Sequence, residues 1–474
     1  MRVAVVGAGP SGLVAAKHAI EAGFDTTVFE AGDDLGGQWH STAPHSGIWP
    51  GMHTNTSRAM TAFSDFAAPA EHPLHPAAEQ IHAYLRAYAD RFGVSERIRL
   101  RTPVKRVTPG WDVDGERFDA VIVASGRFGK PHMPPGLDGF DGELLHSFDY
   151  PGAEPFRDRA VLVYGNGISG SEIASDLARV TRVVCAFRKP RYVIQKNVEG
   201  VSSDWQWYTT FGALERRHLS RDEFIRRMRE RVLSAVGNPT DYGAPEPDPD
   251  FLTAGLALCQ DCLADVQAGR IVCRPAIAAV DGRDVAFTDG SRERVDAIVC
   301  ATGYDPDIPY LDEGLWRELY QRTLHPDHPR LGFVGQFLAQ GPYFPLLELQ
   351  ARWVTAIWAG EVEPPDQELM RAALVRAPPV DPHNAFAMTI AEELGVAPDV
   401  LARPELTEAL LFGPMLPPRY RFDGPGAQAD APRRFAEQLA ASPRAPVDPA
   451  DIAALREFGL GEAADRLRTG SRRP

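Results

Sequence analysis

The chain has 474 residues, of which 44% are hydrophobic and 24% charged, and its net charge is −14. That length is too great for one compact core, so two or three domains are expected. The negative charge argues against a nucleic-acid partner. No apolar run is long enough to span a bilayer, and five cysteines do not make a disulfide framework but fit a reducing cytoplasm.

Residues 2–6 form a Val-rich run that leads into Gly7-Ala8-Gly9-Pro10-Ser11-Gly12. Leu13, Val14, Ala16 and Ile20 then share a helical face, Gly23 ends the helix, and a second apolar run, 26–29, stops at Glu30. This is the layout of a dinucleotide site. Gly7 makes the tight turn, Gly9 admits the pyrophosphate, and Gly12 lets helix and strand pack closely. The helix N-terminus from Pro10 and Ser11 offers N–H groups to phosphate, and Glu30 is placed to accept from a ribose hydroxyl. The motif stands at the start of the sequence, so no leader peptide is expected. Next comes Leu35-Gly36-Gly37-Gln38-Trp39, a glycine loop that is either a surface turn or a place where backbone lies close to a cofactor. A long irregular stretch, 40–76, carries Thr54-Asn55-Thr56 and Phe63-Ser64-Asp65-Phe66, and its aromatics argue for order.

Ile81, Tyr84, Leu85, Tyr88 and Phe92 predict a helix over 78–92. Short strands are expected at 98–101, 104–107 and 118–124, with a hairpin at Asp114-Gly115. The opening unit then recurs. Strand 159–164 meets Gly165-Asn166-Gly167-Ile168-Ser169-Gly170, followed by a helix over 171–179 and a strand over 182–187. The runs 118–126 and 295–303 match closely, each preceded by an Asp-Gly hairpin signal. The second unit ends in Arg188 and Lys189 where the first has Glu30. A guanidinium suits a 2′-phosphate and a carboxylate repels it, so the first site fits FAD or NAD and the second fits NADP. One chain holding both suggests hydride transfer from a nicotinamide to a flavin.

An α/β fold of two nested Rossmann-like domains follows, with the FAD domain discontinuous over 1–152 and 303–474 and the NADP domain inserted over 153–302. An insertion at about 190–250 carries Trp205, Trp207 and Tyr208, then a helix capped by Ser220 and Glu223 whose four arginines read as a solvated face. Cys259 and Cys262 form a CxxC pair in an apolar, helix-like setting. They make a disulfide reductase the rival reading. His325 and His328 lack further ligands, so no metal site is expected.

Between the two units lies Phe140-x-Gly142-x-x-x-His146-x-x-x-Tyr150. With this spacing the chain resembles the flavin-containing monooxygenase family along nearly its whole length. The loop 35–39, the Asn55 segment, Ala301-Thr302-Gly303-Tyr304, Glu348-Leu349-Gln350-Ala351-Arg352-Trp353 and Tyr420-Arg421-x-x-Gly424-Pro425-Gly426 look like further signatures in the family's order. The resemblance implies that NADPH reduces FAD, that O2 adds to the flavin as a C4a-hydroperoxide, and that a small soft nitrogen or sulfur nucleophile takes the oxygen. It implies Asn55 as the partner of the oxygen chemistry, an amide that donates without titrating. It also implies flavin contacts from His45, Gln336 and the backbone at Val104. His146 is expected to be a structural or hinge residue. Pro151 departs from the family, which has a basic residue there, and Baeyer–Villiger relatives have Trp then Pro or Asp. Carbonyl insertion therefore stays open beside heteroatom oxidation. Dimers are common in the family; the sequence leaves the oligomeric state and the substrate open.

Overall fold

The computed structural model describes all residues except 44–45, 375–380, 443–445 and 471–474. The proposed His45 contact lies outside the described residues. The chain opens with β1 (Arg2–Val6), α1 (Pro10–Glu21) and β2 (Asp25–Phe29), followed by α2 (Ala78–Arg91), β3 (Ile98–Arg99) and β4 (Ala120–Val123). It continues through β5 (Glu143–His146), β6 (Val161–Tyr164), α3 (Ile168–Leu177) and β7 (Val183–Ala186). Two helices of the insertion follow, α4 (Thr210–His218) and α5 (Arg221–Val236), then β8 (Ile271–Arg274) and β9 (Ala297–Cys300). The last elements used below are β10 (Leu331–Phe333), α6 (Tyr343–Ala359) and α7 (His383–Glu393).

Two parallel five-stranded sheets carry the fold. The first runs β10-β4-β1-β2-β3 and the second β8-β7-β6-β9-β5. Their central strands are buried on both faces, which is why they read as continuous Val, Ile and Ala runs. The repeat seen in the sequence is a repeat of pairing: β4 lies beside β1 as β9 lies beside β6. The first sheet is completed by β10, which comes from beyond the second unit, so one unit is threaded through the other. The second sheet takes its edge strand β5 from upstream of residue 153.

Three local expectations shift. The helix after the second glycine turn starts at Ile168 rather than Ser171, because its first turn closes directly onto the glycine loop, with Ser171 N donating to Gly167 O at 2.9 Å. The apolar run before the CxxC pair is a strand, Leu256–Leu258, paired in parallel with Tyr192–Ile194, and the helix begins only at Cys262. The strand expected over 104–107 shrinks to Val107–Thr108. The insertion does not stand apart. Trp205 and Tyr208 enter the core built by β1, α1, α2 and α6, and Phe211 of α4 packs with Met388 of α7. Part of the arginine face of α5 is also turned inward, since Arg227 and Arg231 both bind the buried Glu215 of α4.

Candidate functional site

The first cradle is set by sterics. Gly7 has φ +105°, and a Cβ on Gly12 would lie 1.7 Å from Gly7 O. No other residue fits Gly12, and the close approach draws the N-terminus of α1 onto the turn. The loop carrying Gly37, Gln38 and Trp39 folds back onto this turn: Gly36 N donates to Ala8 O at 2.9 Å, and a Cβ on Gly37 would come within 2.9 Å of Gly9 Cα. Pro10 starts α1 and Ser11 is buried against Gly335. Glu30 is buried at the end of β2, and its two oxygens accept from Ala8 N and Gly32 N, each at 2.7 Å. A carboxylate fixed by two backbone donors keeps further lone pairs for a ligand hydroxyl. Gln336 joins the rim, with Nε2 donating to Gly126 O at 3.1 Å. Val104 sits farther along, half-buried against the cluster around Val107 and Tyr310.

The second cradle repeats the first. Gly165 has φ +124°, and a Cβ on Gly170 would fall 2.1 Å from Gly165 O, while nothing lies within 4 Å of a Cβ on Gly167. That open side, at the N-terminus of α3 beside Ser169, is where a pyrophosphate can approach backbone. Arg188 is exposed just past β7, and the turn is tied to the same strand end by Gly165 N to Ala186 O and Asn166 Nδ2 to Lys189 O. Arg188 therefore follows directly on the strand end tied to the glycine turn, the position at which the first cradle has Glu30.

The two connections between the units cross and are tied together. His146 is buried, its Nε2 bonds Gly303 O at 3.0 Å, and its Nδ1 accepts from Phe148 N. Burial holds its pKa below the ordinary value. A ring with one nitrogen donating and one accepting is neutral and has no proton to spare, which suits a linker post rather than an acid. From this crossing an aromatic series runs from Tyr304 through Phe128 and Tyr343 to Phe337, the residue after Gln336. Trp205 and Tyr208 of the insertion are buried in the core.

Asn55 lies on the stretch between His53 and Arg58, which runs along residues 74–77 through Thr54 N to Pro76 O and Arg58 N to Leu74 O. Burial pushes the Glu172 carboxyl group up, and Lys196 and then Asn55 act to draw it back towards its charged form. The sequence reading made Asn55 a donor to the oxygen chemistry; in the structure its carbonyl oxygen is buried without a partner among the described residues. Asp204, which accepts from Ser57 N two residues past Asn55, and the buried Glu172–Lys196 ion pair were not singled out from the sequence.

Other signatures meet far from the cradles' mouths. Ser64 N and Oγ both bond Glu348, at 2.6 and 2.5 Å, and Arg421 bridges Glu348 at 2.7 Å and Asp65 at 3.0 Å. Lys17 adds an ion pair to Asp65 at 2.5 Å. His18, Asp65 and Glu348 offer ligand atoms within 4.8 Å of one another, but Lys17 and Arg421 already occupy the carboxylates, so the cluster is a closed ion network. Cys259 and Cys262 are free thiols buried behind α3, with Cys259 against Ser175. A dithiol sealed in a core cannot reach a disulfide substrate. Among the described residues no helix is long and apolar enough to cross a membrane.

Comparison with known proteins agrees with this arrangement. The family profile described as flavin-binding monooxygenase-like matches residues 1–440. The dimethylaniline monooxygenase [N-oxide-forming] 2 of Cavia porcellus is 30% identical, covering 92% of this chain and 91% of that protein. The flavin-containing monooxygenase 2 of Homo sapiens is 29% identical over 90% of this chain and 89% of its own. Among solved structures, the S-allyl-L-cysteine S-oxygenase of Allium sativum superposes with a TM-score of 0.62 at 23% identity, covering 93% of this chain and 98% of that one. A cyclohexanone monooxygenase from Rhodococcus sp. Phi1 bound to NADP+ gives 0.61 at 17% identity, covering 82% and 96%. The chain belongs to the flavin-binding monooxygenase-like family: it is an NADPH-dependent flavin monooxygenase, an oxidoreductase that uses FAD and NADPH.

Proposed function

We propose that this enzyme oxygenates a soft nitrogen or sulfur centre of a small molecule. FAD belongs in the first cradle, with Glu30 on its ribose and the loop 37–39 and Gln336 along its length. NADPH belongs in the second, with Arg188 on the 2′-phosphate. The bound flavin supplies the electrophilic oxygen once NADPH has reduced it and O2 has reacted. The chain's own residues then have to hold the two cofactors in register, keep water out, and leave a lone pair of the substrate free to attack.

The observation that carries the choice of substrate is the state of Lys196. Insertion next to a carbonyl needs a cation to stabilise the developing oxyanion. Lys196 is ion-paired with Glu172 of α3, so its charge is already neutralised. An amine or thioether makes no such demand, because no oxyanion develops on it. The names of relatives that form N-oxides and of a structural neighbour that oxygenates sulfur point the same way. The free state of all five cysteines suits a reducing compartment.

The test is product analysis with purified holoenzyme, NADPH and air. A tertiary amine, a thioether and a cyclic ketone are each supplied in turn. N-oxide or sulfoxide formed in step with NADPH oxidation supports the reading. Lactone from the ketone, with the other two untouched, overturns it in favour of Baeyer–Villiger oxidation.

A further inference from the structure

The insertion starts in the second unit and is rooted in the first. Its strand Tyr192–Ile194 pairs in parallel with Leu256–Leu258. Lys196 is ion-paired with Glu172, which stands on α3 two residues past Gly170 of the second cradle. A short hairpin follows, Asn197–Val198 against Val201–Ser202. Ser203 closes it, with its N donating to Lys196 O at 2.9 Å and its Oγ to Gln195 O. The next two residues already grip the first unit. Asp204 Oδ2 accepts from Ser57 N at 2.6 Å, and Trp205 Nε1 donates to Ser57 Oγ at 3.0 Å. Ser57 is fully buried and Asp204 is 2% exposed. Beyond this foot the insertion stays on the first unit: Met415 N donates to Tyr208 O at 2.9 Å, and Asn384 Nδ2 to Trp207 O at 3.0 Å.

The two connections between the units meet at one crossing, tied by His146 and Gly303. Connections that meet at one place act as a hinge, which leaves the angle between two bodies free. Residues 195–205 are a second attachment. One end stands on α3 of the second cradle, and the other lies in the core that packs against α1 of the first. Because Ser203 is bonded straight back to Gln195 and Lys196, the two ends are held together rather than linked through a free loop.

We propose that Asp204, gripping Ser57, is a positioning residue for hydride transfer: through residues 195–205 it fixes α3, and the nucleotide at its N-terminus, against the flavin cradle. The proposal rests on FAD lying in the first cradle and NADPH in the second. The nicotinamide gives a hydride to the flavin, and that transfer requires contact distance and alignment, so that a displacement of about 1 Å costs up to about a hundredfold in rate. Binding of the nucleotide to its own cradle makes no such demand. A loosened strap therefore slows the transfer and leaves the affinity alone.

The test mixes holoenzyme with NADPH in the absence of oxygen, and reads the limiting rate of flavin reduction and the NADPH dissociation constant from one series. Asp204→Leu keeps the branched shape and removes the acceptor, whereas Asp204→Asn keeps an acceptor oxygen for Ser57 N. The limiting rate is expected to fall about tenfold in the first and to stay within about twofold of the parent in the second, with the dissociation constant changed less than about twofold in both. Trp205→Phe keeps a ring and drops only the Nε1 donor. It is expected to slow reduction about threefold, and it carries the test should Asp204→Leu not fold. Amide hydrogen exchange over residues 53–58 gives a readout free of turnover: the Ser57 N–H should lose protection in Asp204→Leu and keep it in Asp204→Asn.

A parental reduction rate in both Asp204→Leu and Trp205→Phe overturns the proposal, as does unchanged exchange at Ser57. So does an equal fall in both Asp204 variants, or a fall that a weaker dissociation constant accounts for. A parent enzyme whose flavin is not reduced by NADPH would instead strike the cofactor assignment, and the proposal with it.

Discussion

Arg188 is exposed, and among the described residues no carboxylate is paired with it. It stands where the opening unit has an acid, so its charge is available to a phosphate. A charge-assisted contact of this kind contributes about 1.5–3 kcal/mol, or roughly 10- to 100-fold in affinity. Arg188→Ala is therefore expected to weaken NADPH binding by that factor and leave NADH nearly unaffected, as titration of the oxidised holoenzyme with each nucleotide would show. Equal loss for both nucleotides would place the arginine away from the 2′-phosphate. Asn55 is the second residue whose change has one direction. Asn55→Ala should preserve reduction of the flavin by NADPH while product formation falls about 10- to 100-fold and hydrogen peroxide takes its place. Anaerobic reduction rates and product yield per NADPH separate these two effects.

Among the elements, α1 and α6 are joined through charges as well as through their apolar faces. Glu348 of α6 receives Ser64 and Arg421, and Asp65 receives Lys17 of α1 and the same arginine. Both Glu348 and Arg421 side chains are 3% exposed. A buried pair of this kind adds little over apolar packing, yet breaking it is costly because the survivor stays charged out of water. Glu348→Gln is expected to lower stability by about 3 kcal/mol in urea unfolding, whereas a loss below about 1 kcal/mol would mean that water reaches Arg421. The same network explains why segments near residues 65, 348 and 421 carry recognisable signatures although none lies in a cradle. They are three parts of one ionic cluster.

For the molecule as a whole, the pH dependence follows from buried histidines. Burial, with Lys196 nearby, lowers His75 to about 4, and burial lowers His383 to about 3. His18, His146 and His325 are lowered as well, chiefly by burial. Such a ring takes up its proton in the unfolded chain first, near 6.5, so stability falls as pH drops below that value. Asp204 opposes this, because burial raises its carboxyl group from 3.8 to about 6 and the folded state holds that proton more tightly. Burial raises the Glu172 and Asp451 carboxyl groups as well, but three raised acids do not balance five lowered histidines. The melting temperature is expected to fall between pH 7.5 and pH 5.5, with His75 and His383 each contributing on the order of 1 kcal/mol at the lower pH. A melting temperature that rises on acidification would show that the histidines are hydrated.

The nested α/β plan was legible in the sequence because it is written in local demands. Gly12 and Gly170 are required by backbone clashes within one turn, Gly7 and Gly165 adopt a positive φ at the turn itself, and doubly buried strands need unbroken apolar runs. The edge strand β5, the strand before Cys259 and the early start of α3 were less legible, since each depends on a neighbour rather than on its own residues. Candidate site residues divide in the same way. Glu30 and Arg188 could be found by spacing from a glycine turn. Glu172 and Lys196 could not, because nothing in a helix following a glycine turn tells which lysine will face it. By itself the sequence determined two dinucleotide cradles, one threaded through the other, because turn sterics and strand burial act within a few residues. Only the tertiary structure decided which charges meet across the units and which polar atoms are left buried without a partner, because ion pairing and desolvation depend on how distant segments pack.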